Sequence, residues 1–473
     1  MTTPLTSAER FALGQKRRKH LPRAGHAGWN SSARKADPLN LLKASVKGRV
    51  PELVTLKNER MASSPFGYLR GAVPVMAYDL SLLPNAGILT QLCGDAHVRN
   101  LGAFAAPDGR LVFDINDFDE TIVGPFEWDV KRMATSLILA GREAGAKDTH
   151  CREATATFLE RYTGMMRTFA KLPVLEVAKY QVHRLQDIAP VQEILQLAER
   201  ATPMHILEAL TEQLSIPKKK TGKKMPLAAG QAKVRARELA KAKALDPAAG
   251  GSPTGRIFRT QKPVLERMTG AAAQHVVDSL ATYSASLQAE RQRFLAQYRV
   301  IDVAFKVVGT GSVGLRDYCL YMEGNGSKDP LFLQIKEEAA SAYAPYVEEI
   351  APAANHSTHQ GRRVVEGERA MQLQSDPFLG WTTIQGRDYL VRQLNDHKAS
   401  IDLSDLKAAG LLEYAGVCGE MLARGHARGG DCSMLAGYLG GSGRFEEAVE
   451  AFALTYADQT EKDWKQLVKS MKK

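Results

Sequence analysis

Two stretches of the chain carry residue types at spacings that phosphoryl chemistry uses. The first is Gly94-Asp95-Ala96-His97-Val98-Arg99-Asn100. Its Asp-x-x-x-x-Asn spacing is that of a phosphotransferase catalytic loop, in which the Asp accepts the proton of the attacking hydroxyl and the Asn ligates a metal ion. A short loop returns both side chains to one phosphoryl group. The pattern alone is weak, but its context strengthens it. Asp114, Asp117, Asp119 and Glu120 place four carboxylates within seven residues. Packed acids repel one another and are costly unless solvated or paired with a cation. Mg²⁺ uses one or two carboxylates plus substrate phosphate oxygens. A solvated acidic turn is the plain alternative. The cluster's place, one β-hairpin after Asp95 and Asn100, favours the metal.

The second stretch is Gly309-Thr310-Gly311-Ser312-Val313-Gly314. G-x-G-x-x-G opens a helix in dinucleotide-binding turns but joins two antiparallel strands in kinases. Residues 315–322 read as a strand, which disfavours the dinucleotide turn. The next strand, 331–335, is followed by Lys336, laid out like the kinase β3 lysine that pairs with nucleotide phosphates and with a glutamate on the following helix. A snorkelling surface lysine is the bland reading. Glu366 and Glu368 lie on that next helix, and Glu366, grouped with Ala370 and Leu373, is the expected partner.

These residues need elements to hold them. Strands are expected over 101–104 and 111–115 around a Pro107-Asp108-Gly109 turn. A helix follows over 127–145, with Trp128, Met133, Leu137 and Ala140 near helical spacing. Strands are expected over 303–308, 318–322 and 331–335, then a helix over 361–375 and two strands over 381–394. Residues 41–83, 150–215, 270–298 and 402 onward read as helical. The expected organisation is a basic flexible arm (1–40), a helical lobe with the catalytic and metal loops (41–215), and a Lys-rich insertion or linker (216–256). A helical connection (257–300), a β-rich nucleotide-binding lobe (301–400) and the rest of the helical lobe (401–473) follow.

The chain has 473 residues and a net charge of +11. Residues 1–35 carry +7 and residues 217–244 carry +9, so the remainder sums to −5. The basic excess is local, which weakens any inference from charge to nucleic-acid binding. The lysine runs lack the aromatic residues that single-strand stacking needs. They read as solvated insertion, with nucleic acid, an anionic membrane surface or polyphosphate as the alternative partner. Five cysteines without a C-x-x-C pair fit a reducing, cytoplasmic setting and argue against a structural zinc site. No apolar run is long enough for a transmembrane segment. No G-x-S-x-G elbow occurs. His426-Ala427-Arg428-Gly429-Gly430-Asp431 would restore the usual kinase motif order, but it lacks the Asn and the acidic cluster and reads as structural.

The strings GDAHVRN, VFDINDFDETIVGPFEWDVKRMATS and VVGTGSVGLRDY…LFLQIKEE, with SPFGYLRG, VVEGERAMQ and YADQTEKD, resemble the bacterial family called domain of unknown function 2252, from about Met61 to about Asp463. That family is related to protein-kinase-like and aminoglycoside-phosphotransferase-like folds. The resemblance implies a nucleotide site with Asp95 as catalytic base and Asn100 as metal ligand. It makes Asp117 the second metal ligand, with Asp114 as its rival. Asp129 resembles the aspartate that braces the catalytic loop. His97 after the Asp is a departure, and so is Cys93, where small-molecule kinases often have His. The motif order is also reversed. The expected fold is therefore α+β, protein-kinase-like and bilobal, with a circularly permuted chain. The expected activity is ATP- and Mg²⁺-dependent phosphoryl transfer to an unidentified acceptor hydroxyl. Gly309, Gly311, Ser312, Gly314 and Lys336 would bind the nucleotide. Nucleotidyl transfer and a non-catalytic nucleotide-binding pseudokinase are the alternatives at the same site.

Overall fold

A computed structural model of the chain describes residues 4–106, 108–180, 188–213, 255–307, 311–326, 328–352, 354–355, 357–373, 375–394, 399–402 and 409–472. Both lysine runs and Gly309 lie outside these residues. The architecture is mixed α+β. β1 (Leu89–Leu92), β2 (Leu101–Ala105), β3 (Leu111–Ile115) and β4 (Ile122–Pro125) surround the acidic segment. β2 pairs antiparallel with β3, and β1 with β4. The expected hairpin is present. β1 and β4 were not expected, because four-residue strands carry too few alternations to show a period. β5 (Thr211–Gln213) and β6 (Arg256–Phe258) form a separate short pair.

The main sheet is built from β7 (Leu265–Met268), β8 (Arg299–Lys306), β9 (Asp317–Glu323), β10 (Pro330–Glu337), β11 (Gly380–Ile384) and β12 (Arg387–Gln393). It is antiparallel throughout, in the order β11-β12-β10-β9-β8-β7. β7 and β6 occupy part of the span expected to be a helical connection. Successive residues of a strand face opposite sides of a sheet, and both sides here are apolar. Leu320, Leu333 and Val391 pack on one face with Ala273, Val276 and Tyr283 from the helices of 271–286. Cys319, Tyr321 and Phe332 pack on the other with Phe258. Burial on both faces explains why the strands read as continuous apolar runs. β13 (Ala399–Ser400) leaves this region and pairs with β2.

The larger core is helical. In the helix Glu127–Glu143 every residue from Glu127 to Gly141 is buried. It packs among the helices Asp148–Phe169, Ala409–Gly429 and Arg444–Met471. No helix among the described residues is long and apolar enough to cross a membrane.

The flexible arm expected at 1–40 is corrected. Ser7–His20 is a helix with a complete Thr6/Glu9 capping box. It lies against the helix Cys432–Leu439 so closely that a Cβ on Gly14 would sit 2.0 Å from the Met434 carbonyl oxygen. Three arginines of residues 1–40 answer specific acceptors. Arg18 Nε donates to the Tyr438 carbonyl (2.9 Å) and Arg23 to that of Leu439 (2.7 Å), the end of a helix whose last carbonyls lack internal partners. Arg34 is ion-paired with buried Asp79 and Asp463.

Candidate functional site

The 94–100 loop follows β1 and is shaped by its own residues and by the helix Glu127–Glu143. Gly94 adopts φ +84°, and a Cβ there would meet the Glu120 carbonyl oxygen at 2.2 Å, so this position requires glycine. Asp129, in the first turn of that helix, accepts from the amides of Cys93 (2.8 Å) and Gly94 (3.0 Å). Asn100 donates its side-chain amide to the Asp95 carbonyl (2.6 Å). The Asp-x-x-x-x-Asn spacing thus closes the loop on itself. His97 Nδ1 accepts from the Arg99 amide (3.2 Å), so its proton sits on Nε2, 3.6 Å from Asp95 Oδ2. Burial keeps this imidazole neutral, its pKa well below the ordinary histidine value. Asp95 Oδ1 accepts from Arg132 Nε (2.7 Å) and again from its Nη2. Asp95 lines the cleft. Burial pushes the Asp95 carboxyl up to about 6; Arg132 opposes this, while Asp117 and Glu120 add to it.

The acidic segment divides its roles. Asp114 is buried and ion-paired with Arg424 of the helix Ala409–Gly429, and it does not line the cleft. Asp117, Asp119 and Glu120 do. Asp119 holds the ammonium of Lys336 through both carboxylate oxygens, across 217 residues of sequence. Glu338 lies 4.0 Å from the same ammonium. Burial disfavours the charge on Lys336, but Asp119, Asp117 and Glu338 hold its pKa above the ordinary lysine value. Burial and the neighbouring Asp117 push Asp119 up as well. Arg363 stitches this junction, donating to the carbonyls of Thr121 (2.6 Å), Asp119 (2.8 Å) and Ala339 (2.9 Å).

Glu366 is not the partner of Lys336. It lies on the exposed side of the helix Gln360–Met371, paired with Arg362 at 2.7 Å. The inward side of that helix is Val364, Val365, Glu368 and Met371. Glu368 is buried near Arg392 of β12. The i, i+3, i+4, i+7 pattern runs through Glu368; grouping Glu366 with Ala370 and Leu373 selected the wrong side.

The loop between β8 and β9 faces the 94–120 segment. Gly311 and Ser312 line one cleft together with Asp95, His97, Asp117, Asp119 and Glu338. Gly314 has φ +95°. The loop is held from outside by the N-terminal helical region. Arg49 donates to the carbonyls of Gly311 (3.0 Å) and Val313 (2.7 Å), Lys57 to that of Gly311 (2.8 Å), and the Val50 amide to that of Gly314 (2.7 Å). Burial and the nearby Arg49 charge pull the Lys57 ammonium down to about 7. The cleft encloses about 70 Å³, well below the ~300–1,000 Å³ typical of small-molecule sites.

The structure therefore gathers Asp95, His97, Asp117, Gly311 and Ser312 in one cleft, with Lys336 at its edge. Asn100 and Asp129 shape the loop, and Asp114 and Glu366 are elsewhere. Sequence reasoning missed Arg49, Lys57, Arg70, Arg132 and Arg363; their partners lie on other elements, so no spacing signals them. His426 is buried, 3.2 Å from Asp129. It stands beside the brace where Cys93 offers only a thiol. Asp431 caps the helix Cys432–Leu439, which makes the 426–431 stretch structural.

Two half-buried carboxylates on one segment, Asp117 and Asp119, with Asp117 adding to the burial that raises the Asp119 pKa, fit a divalent cation. Among the described residues no three Asp, Glu, His or Cys side chains converge at metal spacing. Mg²⁺ bound by one or two carboxylates and substrate phosphates needs no such trio.

Residues 49–470 match a family model described as an uncharacterized protein conserved in bacteria (DUF2252). Neither the curated proteins nor the solved structures contain a match to the chain.

Proposed function

From the premise that the chain belongs to the DUF2252 family of bacterial proteins, we propose that it is an ATP- and Mg²⁺-dependent phosphotransferase acting on an acceptor hydroxyl. We further propose that its fold is protein-kinase-like and bilobal, with the helical lobe's catalytic loop preceding the nucleotide lobe in a circularly permuted order. The observation that carries the reading is the Lys336–Asp119 pair. It joins a lysine on the strand after a glycine loop to the acidic segment after an Asp-x-x-x-x-Asn loop, and these are the parts phosphoryl transfer requires on one phosphate chain. The sheet supports it further: the glycine loop links antiparallel β8 and β9, Lys336 ends the adjacent β10, and the next long helix is Gln360–Met371.

In this mechanism Asp95 Oδ2 orients the acceptor hydroxyl and takes its proton as oxygen attacks phosphorus. Arg132 on Oδ1 and the Asp129 brace fix the direction of that carboxylate. Lys336 leaves Asp119 for the nucleotide phosphates. Asp117 and Asp119 would hold Mg²⁺, which neutralises charge on those phosphates. Catalysis is positioning and electrostatics. The bond from Arg132 to Asp95 weakens it as a base and is the observation that favours a non-catalytic nucleotide-binding protein instead. Thermal stabilisation by Mg-ATP, followed by transfer of label from the γ-phosphate, tests the proposal. No shift with any nucleotide removes it, and a shift without turnover selects the non-catalytic reading.

A further inference from the structure

Among the described residues, the cations around the cleft are committed to partners with one exception. Lys336 holds Asp119, Arg132 holds Asp95, and Arg363, Arg49 and Lys57 hold backbone carbonyls. Arg70, at the end of the helix Pro65–Gly71, lines the same cleft beside Asp95, His97, Asp117 and Gly311. Its Nε is buried without a hydrogen-bond partner. No carboxylate among the described residues lies within ion-pair distance of it. Its backbone carbonyl oxygen would be 3.7 Å from a Cβ on Gly311, so it stands directly under the glycine loop. Burial, and then the like charge of Arg99, pull its pKa below the usual arginine value, although Asp95 and Asp117 attract it. A half-buried guanidinium without a counter-anion is costly to keep. Five N–H donors in a planar fork match a phosphoryl group.

We propose that Arg70 ligates the phosphoryl group in transit, at a point between the glycine loop, which carries the donor, and Asp95, which orients the acceptor. The proposal rests on the phosphotransferase reading. In the step, the bond from the γ-phosphorus to the bridging oxygen breaks and its electron pair stays on ADP. The acceptor oxygen bonds to phosphorus, its proton passes to Asp95, and the charge on the three equatorial oxygens faces Arg70. Positioned arginines of this kind act on the transition state more than on the bound nucleotide.

The test uses the full chain with Mg-ADP and fluoroaluminate, a planar mimic of the phosphoryl group, and, separately, inorganic phosphate without nucleotide. The wild type should bind the ADP–fluoroaluminate pair tightly by calorimetry. Arg70→Gln should bind Mg-ADP unchanged but lose fluoroaluminate affinity at least a hundredfold, and Arg70→Lys should recover part of it. Fluoroaluminate binding by Arg70→Gln at wild-type strength overturns the assignment. If Arg70→Gln is poorly folded by circular dichroism, Arg70→Lys decides alone: a loss of fluoroaluminate but not ADP affinity upholds the site, and none overturns it. If no nucleotide binds the wild type, the phosphotransferase reading fails, and inorganic phosphate judges the anion site. Phosphate binding that Arg70→Gln abolishes upholds the oxyanion site, and no phosphate binding to the wild type overturns it.

Discussion

The two loops that meet in the cleft are held in opposite ways. The 94–100 loop is fixed by partners close in sequence: Asn100 within it, and Asp129 and Arg132 on the helix that follows. The 311–314 stretch is held by Arg49, Val50 and Lys57, more than 250 residues earlier in the chain. One loop carries its own scaffold; the other borrows it. A self-scaffolded loop keeps its geometry under mutation elsewhere, whereas a borrowed one couples its shape to a distant element.

Breaking the self-scaffolded side should have the largest effect. Asp95→Asn keeps the backbone bond from Asn100, so turnover should fall roughly 10²–10⁴-fold, the usual worth of a general base, while Mg-ATP still raises the melting temperature. Unchanged turnover in a γ-phosphate transfer assay would rule Asp95 out as the base. At the junction of the two loops, Lys336→Met leaves buried Glu338 and half-buried Asp119 without their cation. Urea unfolding should show a loss of about 3–5 kcal/mol. Glu366→Gln, at an exposed pair, should change stability by less than about 0.5 kcal/mol. Similar losses in both variants would contradict the assignment of Asp119 as the lysine's partner.

A sharper contrast lies within one segment. Asp114→Asn breaks a buried pair with Arg424 and should cost several kcal/mol, roughly as for Lys336, with nucleotide affinity unchanged in the folded fraction. Asp117→Asn should leave the unfolding midpoint near wild type and weaken Mg²⁺-dependent nucleotide binding. The reverse pattern would exchange their roles. The smallest effect is in pH. Asp95 has its pKa raised to about 6, above an unfolded value of about 4. Its contribution to stability is present below about pH 4 and is lost as pH climbs through 6. Turnover runs the other way and should fall about tenfold per unit below pH 6. A rate profile flat down to pH 5 would remove Asp95 from the proton step.

What could be read from the sequence follows the same division. The hairpin β2–β3, the helix Glu127–Glu143, strands β8 to β10 and the Asp-x-x-x-x-Asn spacing of the 94–100 loop were legible because each is a local pattern. Asp129 was expected as the brace from the family resemblance, and it accepts from the Cys93 and Gly94 amides. Arg132, one helical turn later, was hidden in an amphipathic pattern that says which side is buried but not what a buried arginine meets. The helix Ser7–His20 was misread as an arm because its basic residues suggested solvent. Arg18 and, just beyond the helix, Arg23 meet the last carbonyls of another helix instead. Glu366 was misjudged by the choice of helix side, an error of about two residues in phase.

The four bonds from Arg49, Val50 and Lys57 to the glycine loop also bear on occupancy. At about 1 kcal/mol net each, releasing them costs about 4 kcal/mol, and roughly one molecule in a thousand would then have the loop free. A ligand that requires the freed loop binds with its intrinsic affinity reduced by that fraction. Arg49→Ala removes two of the four bonds and should tighten the apparent affinity for Mg-ATP by about tenfold or more, read by calorimetry. Weaker binding in that variant would make Arg49 a support of the bound state. The N-terminal helices would then set how often the cleft is available, rather than how strongly it holds what enters.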